Sequence, residues 1–203
     1  MRRLSVWLGL GAIVILGGCS GQPSSASKAT AKPPEPVSGQ TALYRMYQVA
    51  RTWSPDVQVL RMTSIDLNDV PEVRGKAGAW RATFTSEAKS AARTYTYSVE
   101  ETEPNLHLGA FALQPESWSP SPDAQPFVIA AVKVDTDAAY KKALEVAGEL
   151  AAKQKAPTIS FVLDKQRKFP DASWRVVWGE SVGTSGLSVF VDASTGEYLE
   201  TMH

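Results

Sequence analysis

Period-two alternation of apolar and polar side chains, met behind a helical stripe, sets the strongest limit on what this chain folds into. Residues 79–86 place Trp80, Ala82 and Phe84 on one side and Arg81, Thr83 and Thr85 on the other. Residues 93–100 set Tyr95, Tyr97 and Val99 against Thr94, Thr96 and Ser98. Strands with one apolar and one polar face belong to an antiparallel sheet that packs on one side only. Upstream, residues 41–53 put Leu43, Tyr47, Ala50 and Trp53 on one helical stripe, and the Ser54-Pro55 break separates them from a strand-like run at 57–67. A last run, 106–113, closes the unit.

The order then recurs. Residues 137–153 form a helix with the stripe Tyr140, Ala143, Leu144, Ala147, Leu150 and Ala151, and Asp135, Thr136 or Asp137 can cap its start. After Pro157 come four strand-like runs at 158–163, 173–180, 187–192 and 198–202. Trp80 matches Trp174, Tyr95 matches Val189, and Tyr44 and Tyr140 lie at nearly matching distances upstream. The fold expected is therefore α+β, two repeats of one helix on a small antiparallel sheet, spanning 41–117 and 126–203. Residues 118–125 read as the connector, and 127–134 as an extra strand leading into the second helix.

The second unit resembles a PepSY-type domain, a cystatin-like arrangement. The alanine-bearing helix with Ala143 and Ala147 comes first, then the strand Trp174-Arg175-Val176-Val177-Trp178. Val189-Phe190-Val191-Asp192-Ala193-Ser194-Thr195-Gly196-Glu197-Tyr198-Leu199 is similar to the family's closing hairpin, with a tight turn at Thr195-Gly196. The likeness covers about 128–202. The first unit is a weaker copy, because residues 99–105 lack the Asp-x-x-Thr-Gly hairpin. The resemblance implies an inhibitory or binding module and carries no catalytic residue.

The N-terminus reads differently. Arg2 and Arg3 precede an apolar run from Leu4 to Leu16, and Gly17 and Gly18 then lead to Cys19. Spanning a bilayer takes roughly 20 apolar residues, so this shorter run is expected to be a signal segment, residues 1–18. Leu16-Gly17-Gly18-Cys19 resembles the lipobox of bacterial lipoproteins. That resemblance implies cleavage before Cys19, lipid on its thiol and acylation of its new amino group, with several acyl chains giving stable anchoring. Ser20 implies the outer membrane, facing the periplasm, by the sorting rule of enteric bacteria. Residues 19–40 hold almost no large apolar side chain and read as the lipidated cysteine plus a flexible spacer, stiffer at Pro33, Pro34 and Pro36.

Charge and cysteine content narrow the function. The 203 residues carry 21 basic and 21 acidic side chains, and loss of Arg2 and Arg3 with the leader leaves the acids in slight excess. That is no nucleic-acid footprint. Cys19 is the one cysteine, so a disulfide or a cysteine-based zinc site within the chain is excluded. The two histidines, His107 and the terminal His203, lack nucleophile or HExxH context. Glu100, Glu101 and Glu103 cluster, as do Asp66 and Asp69; they read as solvated turns, with a carboxylate-dependent hydrolase using Glu101 or Asp192 as the alternative. Gly183-Thr184-Ser185-Gly186 joins two strands and reads as a hairpin loop rather than a phosphate cradle.

Trp80, Trp174 and Trp178 are expected in the core, and Trp118 as a staple between units. The outward face of the first sheet (Arg81, Thr83, Thr85, Thr94, Thr96, Ser98) is more polar than that of the second (Arg175, Val177, Ser188, Phe190), so the second is expected to be covered by the other unit or by a partner. Cys19 is the one site residue expected, for lipid attachment, with no catalytic, cofactor-binding or metal-ligating residue. The function expected is that of a membrane-anchored, non-catalytic binding or peptidase-inhibitory module. Its partners would be the membrane, through the lipid, and an envelope protein or peptidase. A structural cell-wall-binding protein is the rival.

Overall fold

The computed structural model describes residues 33–203, apart from 103, 105 and 155–157. Cys19 and the whole expected leader lie outside the described residues. The chain runs β1 (Val37–Ser38), α1 (Gly39–Trp53), β2 (Gln58–Ile65), β3 (Lys76–Ala77), β4 (Ala79–Ser86), β5 (Ala91–Ser98) and β6 (Gly109–Ser117). It continues with α2 (Thr136–Ala152), β7 (Ile159–Asp164), β8 (Ser173–Trp178), β9 (Leu187–Asp192) and β10 (Tyr198–Met202). Residues 37–40, read from sequence as the end of a spacer, belong to the fold: Val37 and Ser38 pair with Ala77 and Lys76.

In place of two small sheets there is one antiparallel sheet of eight strands, ordered β10-β9-β8-β7-β2-β4-β5-β6. The join is β2 against β7, through Arg61↔Asp164, Met62↔Leu163 and Thr63↔Val162. Separate four-stranded sheets would each leave that strand's N–H and C=O groups as an open edge, and pairing them removes two edges at once. Beyond Thr63 the two strands part, and the Ser64 hydroxyl takes the Phe161 N–H at 2.9 Å.

Both helices lie on one face. Trp80, Ala82, Phe84 and Tyr95 from one half share a core with Phe161, Leu163, Trp174, Val176, Trp178 and Val189 from the other. Phe84 and Tyr95 meet edge-on, with centroids 5.6 Å apart. Tyr95 pairs with Ala82, two residues past Trp80, and Val189 pairs with Val176, two past Trp174. Each indole N–H donates to the carbonyl two residues before a helix: Trp80 to Val37 at 3.1 Å and Trp174 to Val134 at 2.8 Å. Leu43 and Tyr140 each lie four residues past a helix start; Tyr44, which the spacing singled out, is exposed.

Local chemistry explains the boundaries. Ser38 caps α1, its Oγ accepting from the Thr41 N–H, and α1 stops at Ser54, which Pro55 holds extended. Asp135 caps α2. That helix buries Ala139, Ala143 and Ala147, whereas Leu144 and Leu150 of the expected stripe are 39% and 38% exposed. Alanines let the helix lie close to the sheet, and the longer side chains are displaced to its margins. A kink at Ala147 (φ −127°, ψ 19°) turns the last part of α2.

Four further expectations are corrected. Residues 127–134 are not a strand: Phe127 alone pairs, with Val59, and a 3-10 turn at Ile129–Ala131 follows. The run at 106–113 becomes a bridge at Leu106 and then β6, which extends to Ser117. Trp118, expected as a staple between the halves, sits beside the β4–β5 turn, where its backbone N–H donates to the Ser90 carbonyl at 3.0 Å. Phe190 is fully buried, but under its own β7–β8 loop: Phe169 lies 5.3 Å from its ring and Lys168 Nζ 4.4 Å above it. Lys168 in turn bonds Glu200. The apolar outer face is thus closed by a local loop that the strand pattern alone does not reveal.

Candidate functional site

The β2–β4 connection narrows to a two-residue turn. Val73 and Lys76 exchange backbone hydrogen bonds at 2.8 and 3.1 Å around Arg74 and Gly75. Both central residues have positive φ, 50° and 90°. A hairpin of this hand suits the strand twist, and glycine accepts it freely. Arginine does not, and its left-handed backbone stores strain on the order of 1 kcal/mol. Gly75 is required on a second count, since a Cβ there would lie 2.6 Å from the Thr136 carbonyl oxygen and 2.7 Å from Asp137. Glu72 locks the turn by accepting the Gly75 N–H at 2.6 Å.

Docking this turn on the start of α2 leaves a groove of about 460 Å³, lined by Arg74, Lys76, Asp137, Tyr140, Lys141 and Leu144. A recess of this size falls within the range of ligand sites. Its floor is the Tyr140 ring, braced edge-on by Phe161 at 6.4 Å, together with the exposed side of Leu144. Burial, reinforced by Glu72 and opposed by Arg74, pushes the Tyr140 phenol up. Burial also raises the Glu72 carboxyl against its bond from Gly75.

The acids and bases of the groove are used differently. Glu72 accepts the Gly75 amide N–H, and Asp137, exposed at the groove, accepts the Ala138 N–H at 2.7 Å. Among the described residues, Arg74, Lys76 and Lys141 form no ion pair, and the Tyr140 hydroxyl makes no hydrogen bond. Three free cations therefore stand around an aromatic and aliphatic floor.

Other residues singled out from sequence take humbler places. His107 Nδ1 lies 2.6 Å from Glu101 Oε1, its ring 4.3 Å from Phe111, and the other Glu101 oxygen accepts the Leu108 N–H. That amide, more than His107, holds the Glu101 carboxyl low. The pair is exposed and sits in the loop before β6, not on a strand. Glu103 lies outside the described residues. Asp192 is a turn residue whose Oδ1 accepts the Ser194 and Thr195 N–H groups, and Gly196 completes the β9–β10 hairpin at φ 79°. Trp80, Trp174 and Trp178 are core residues. Residues 183–186 do connect two strands. The groove was missed; its signal was Val73-Arg74-Gly75-Lys76, a glycine-bearing turn followed by the alternating strand.

Among the described residues no helix is long and apolar enough to cross a membrane, and no three His, Cys, Asp or Glu side chains are placed to hold a metal ion. No family model matches the chain, and no curated protein matches it by sequence. A solved chain from Clostridium difficile 630, provisionally described as a lipoprotein, superposes with a TM-score of 0.47 at 10% identity, over 85% of this chain and 95% of that one.

Proposed function

We propose that this protein is a lipid-anchored component of a bacterial envelope whose folded part works by binding another protein, without catalysis. The observation that carries the reading is the segment Leu16-Gly17-Gly18-Cys19 behind a short apolar run and ahead of a polar spacer. Acyl chains on Cys19 would hold the domain at a membrane, the outer one by the Ser20 rule, and the spacer would give it reach. The groove at the start of α2 supports the binding half, since it brings Arg74, Lys76 and Lys141 together around the apolar surface of Tyr140 and Leu144.

The folded part is read as a duplicated PepSY-like unit. Each helix is followed by four strands of the large sheet, β2, β4, β5 and β6 after α1 and β7 to β10 after α2. The two tryptophans hold corresponding positions, and Thr63↔Val162 lies where the halves meet. Inhibition of an envelope peptidase is the sharpest form of this reading and rests on family resemblance.

Growing cells with a labelled fatty acid tests the anchor. Label in the wild-type chain and none in Cys19→Ser is the expected result; equal label in both, or none in either, overturns it. Whole-cell cross-linking of the same strains tests the binding, with a protein partner expected and its absence from the wild type counting against it.

A further inference from the structure

We infer that the groove between the Val73–Lys76 turn and α2 recognises an acidic segment of a partner protein that carries an apolar side chain beside its carboxylates; this rests on the binding reading above. Three features converge. Among the described residues Arg74, Lys76 and Lys141 form no ion pair, while Glu72 accepts the Gly75 N–H and the exposed Asp137 accepts the Ala138 N–H. The three cations thus outnumber the exposed Asp137 carboxylate that shares the groove, and this positive excess is complementarity for an anion. Among the described residues the Tyr140 hydroxyl makes no hydrogen bond, which leaves it as a further donor.

The floor adds the second requirement. Tyr140 and Leu144 offer apolar surface at the bottom of a recess, and Leu144 is 39% exposed. A concave site of about 460 Å³ admits one or two side chains of an extended segment. A bilayer would instead be met by an apolar ridge that can sink into it. The Gly75 contact with α2 sets the backbone of the turn against the helix, so the groove's two sides are already in place before a segment binds.

The test uses the full-length chain in neutral detergent and a fluorescein-labelled heptapeptide alternating leucine and glutamate. Its glutamine counterpart and phosphatidylglycerol vesicles serve as comparisons. Expected is at least tenfold tighter binding of the glutamate peptide, weakening steeply with salt. Lys76→Glu with Lys141→Glu should abolish that preference at unchanged melting temperature, and Tyr140→Phe should weaken binding severalfold while keeping the ring. Equal binding of both peptides, or unchanged binding by the double variant, overturns the inference. So does binding to the vesicles with none to the peptide. If the peptide fails while cross-linking still yields a protein partner, the groove assignment falls and the binding reading stands.

Discussion

Gly39 donates its backbone N–H to the Thr136 hydroxyl at 2.8 Å, so the first residue of α1 is held by the first residue of α2. Around this contact the Gln40 N–H donates to Asp135 Oδ1 at 2.9 Å, and the Gln40 amide donates to the Val132 carbonyl at 2.8 Å. The two halves are fastened twice, at the helix starts and at the central strand pair.

Gly39 has no room for a side chain: a Cβ would lie 2.6 Å from Thr136 Cγ2 and 2.8 Å from the Trp174 ring. Gly39→Ala should cost about 1–3 kcal/mol by overpacking, read from urea unfolding. Gly148→Ala, in open space on α2, should be neutral or stabilising by up to about 1 kcal/mol. Equal effects would contradict the packing of the helix starts.

Asp56 ties the end of α1 to the β4–β5 hairpin. Its carboxylate accepts from the hydroxyls of Ser54 and Ser86 and from the Ala88 N–H, and these hold its pKa at about 2 against an ordinary 3.8. The folded value is depressed, so the stabilisation is present above the ordinary value and is lost as pH falls from about 4 through 2. Because the group is exposed, the contribution is no more than about 1 kcal/mol. Asp56→Asn should flatten the urea stability profile across that window and be less stable than wild type at pH 6.

Asp164 should behave with the opposite sign. Its carboxyl is half-buried and one oxygen finds no partner, and burial raises its pKa against the opposing pull of Arg61, Gln166, Arg175 and Lys168. A raised folded value means stability is greatest below the ordinary pKa and declines as pH rises through the folded one. Asp164→Asn should raise the melting temperature at pH 7, with the gain vanishing below pH 4. A lower melting temperature at pH 7 would show that the cationic neighbours dominate.

Phe169 covers Phe190 on the outer face. Phe169→Ala should destabilise by about 1–3 kcal/mol and open Phe190 to water. Quenching and limited proteolysis within 165–172 would report the opening. No effect would mean that Lys168 and Arg175 suffice as the cover.

How much of this was legible varies with the physics involved. The alternating strands β4 and β5 and the tryptophan positions follow from period-two patterning, which fixes which side chains share a face. The β2–β7 join does not, because pairing between distant strands leaves no local mark on either. A bulge between Val59 and Arg61 broke the alternation of β2 as well. Leu144 and Leu150 looked like core residues because helical spacing cannot tell a stripe's centre from its margins. The groove stayed hidden because its lining comes from residues 74–76 and 137–144, which only folding brings together.

The most direct test of the account is a photo-cross-linking amino acid placed at Leu144 in living cells, with the exposed position Val128 as control. The account predicts a discrete protein adduct from position 144, lost when Lys76 and Lys141 are changed to glutamate, and none from position 128. Adducts of lipid alone from position 144, or the same protein adduct from both positions, would contradict it.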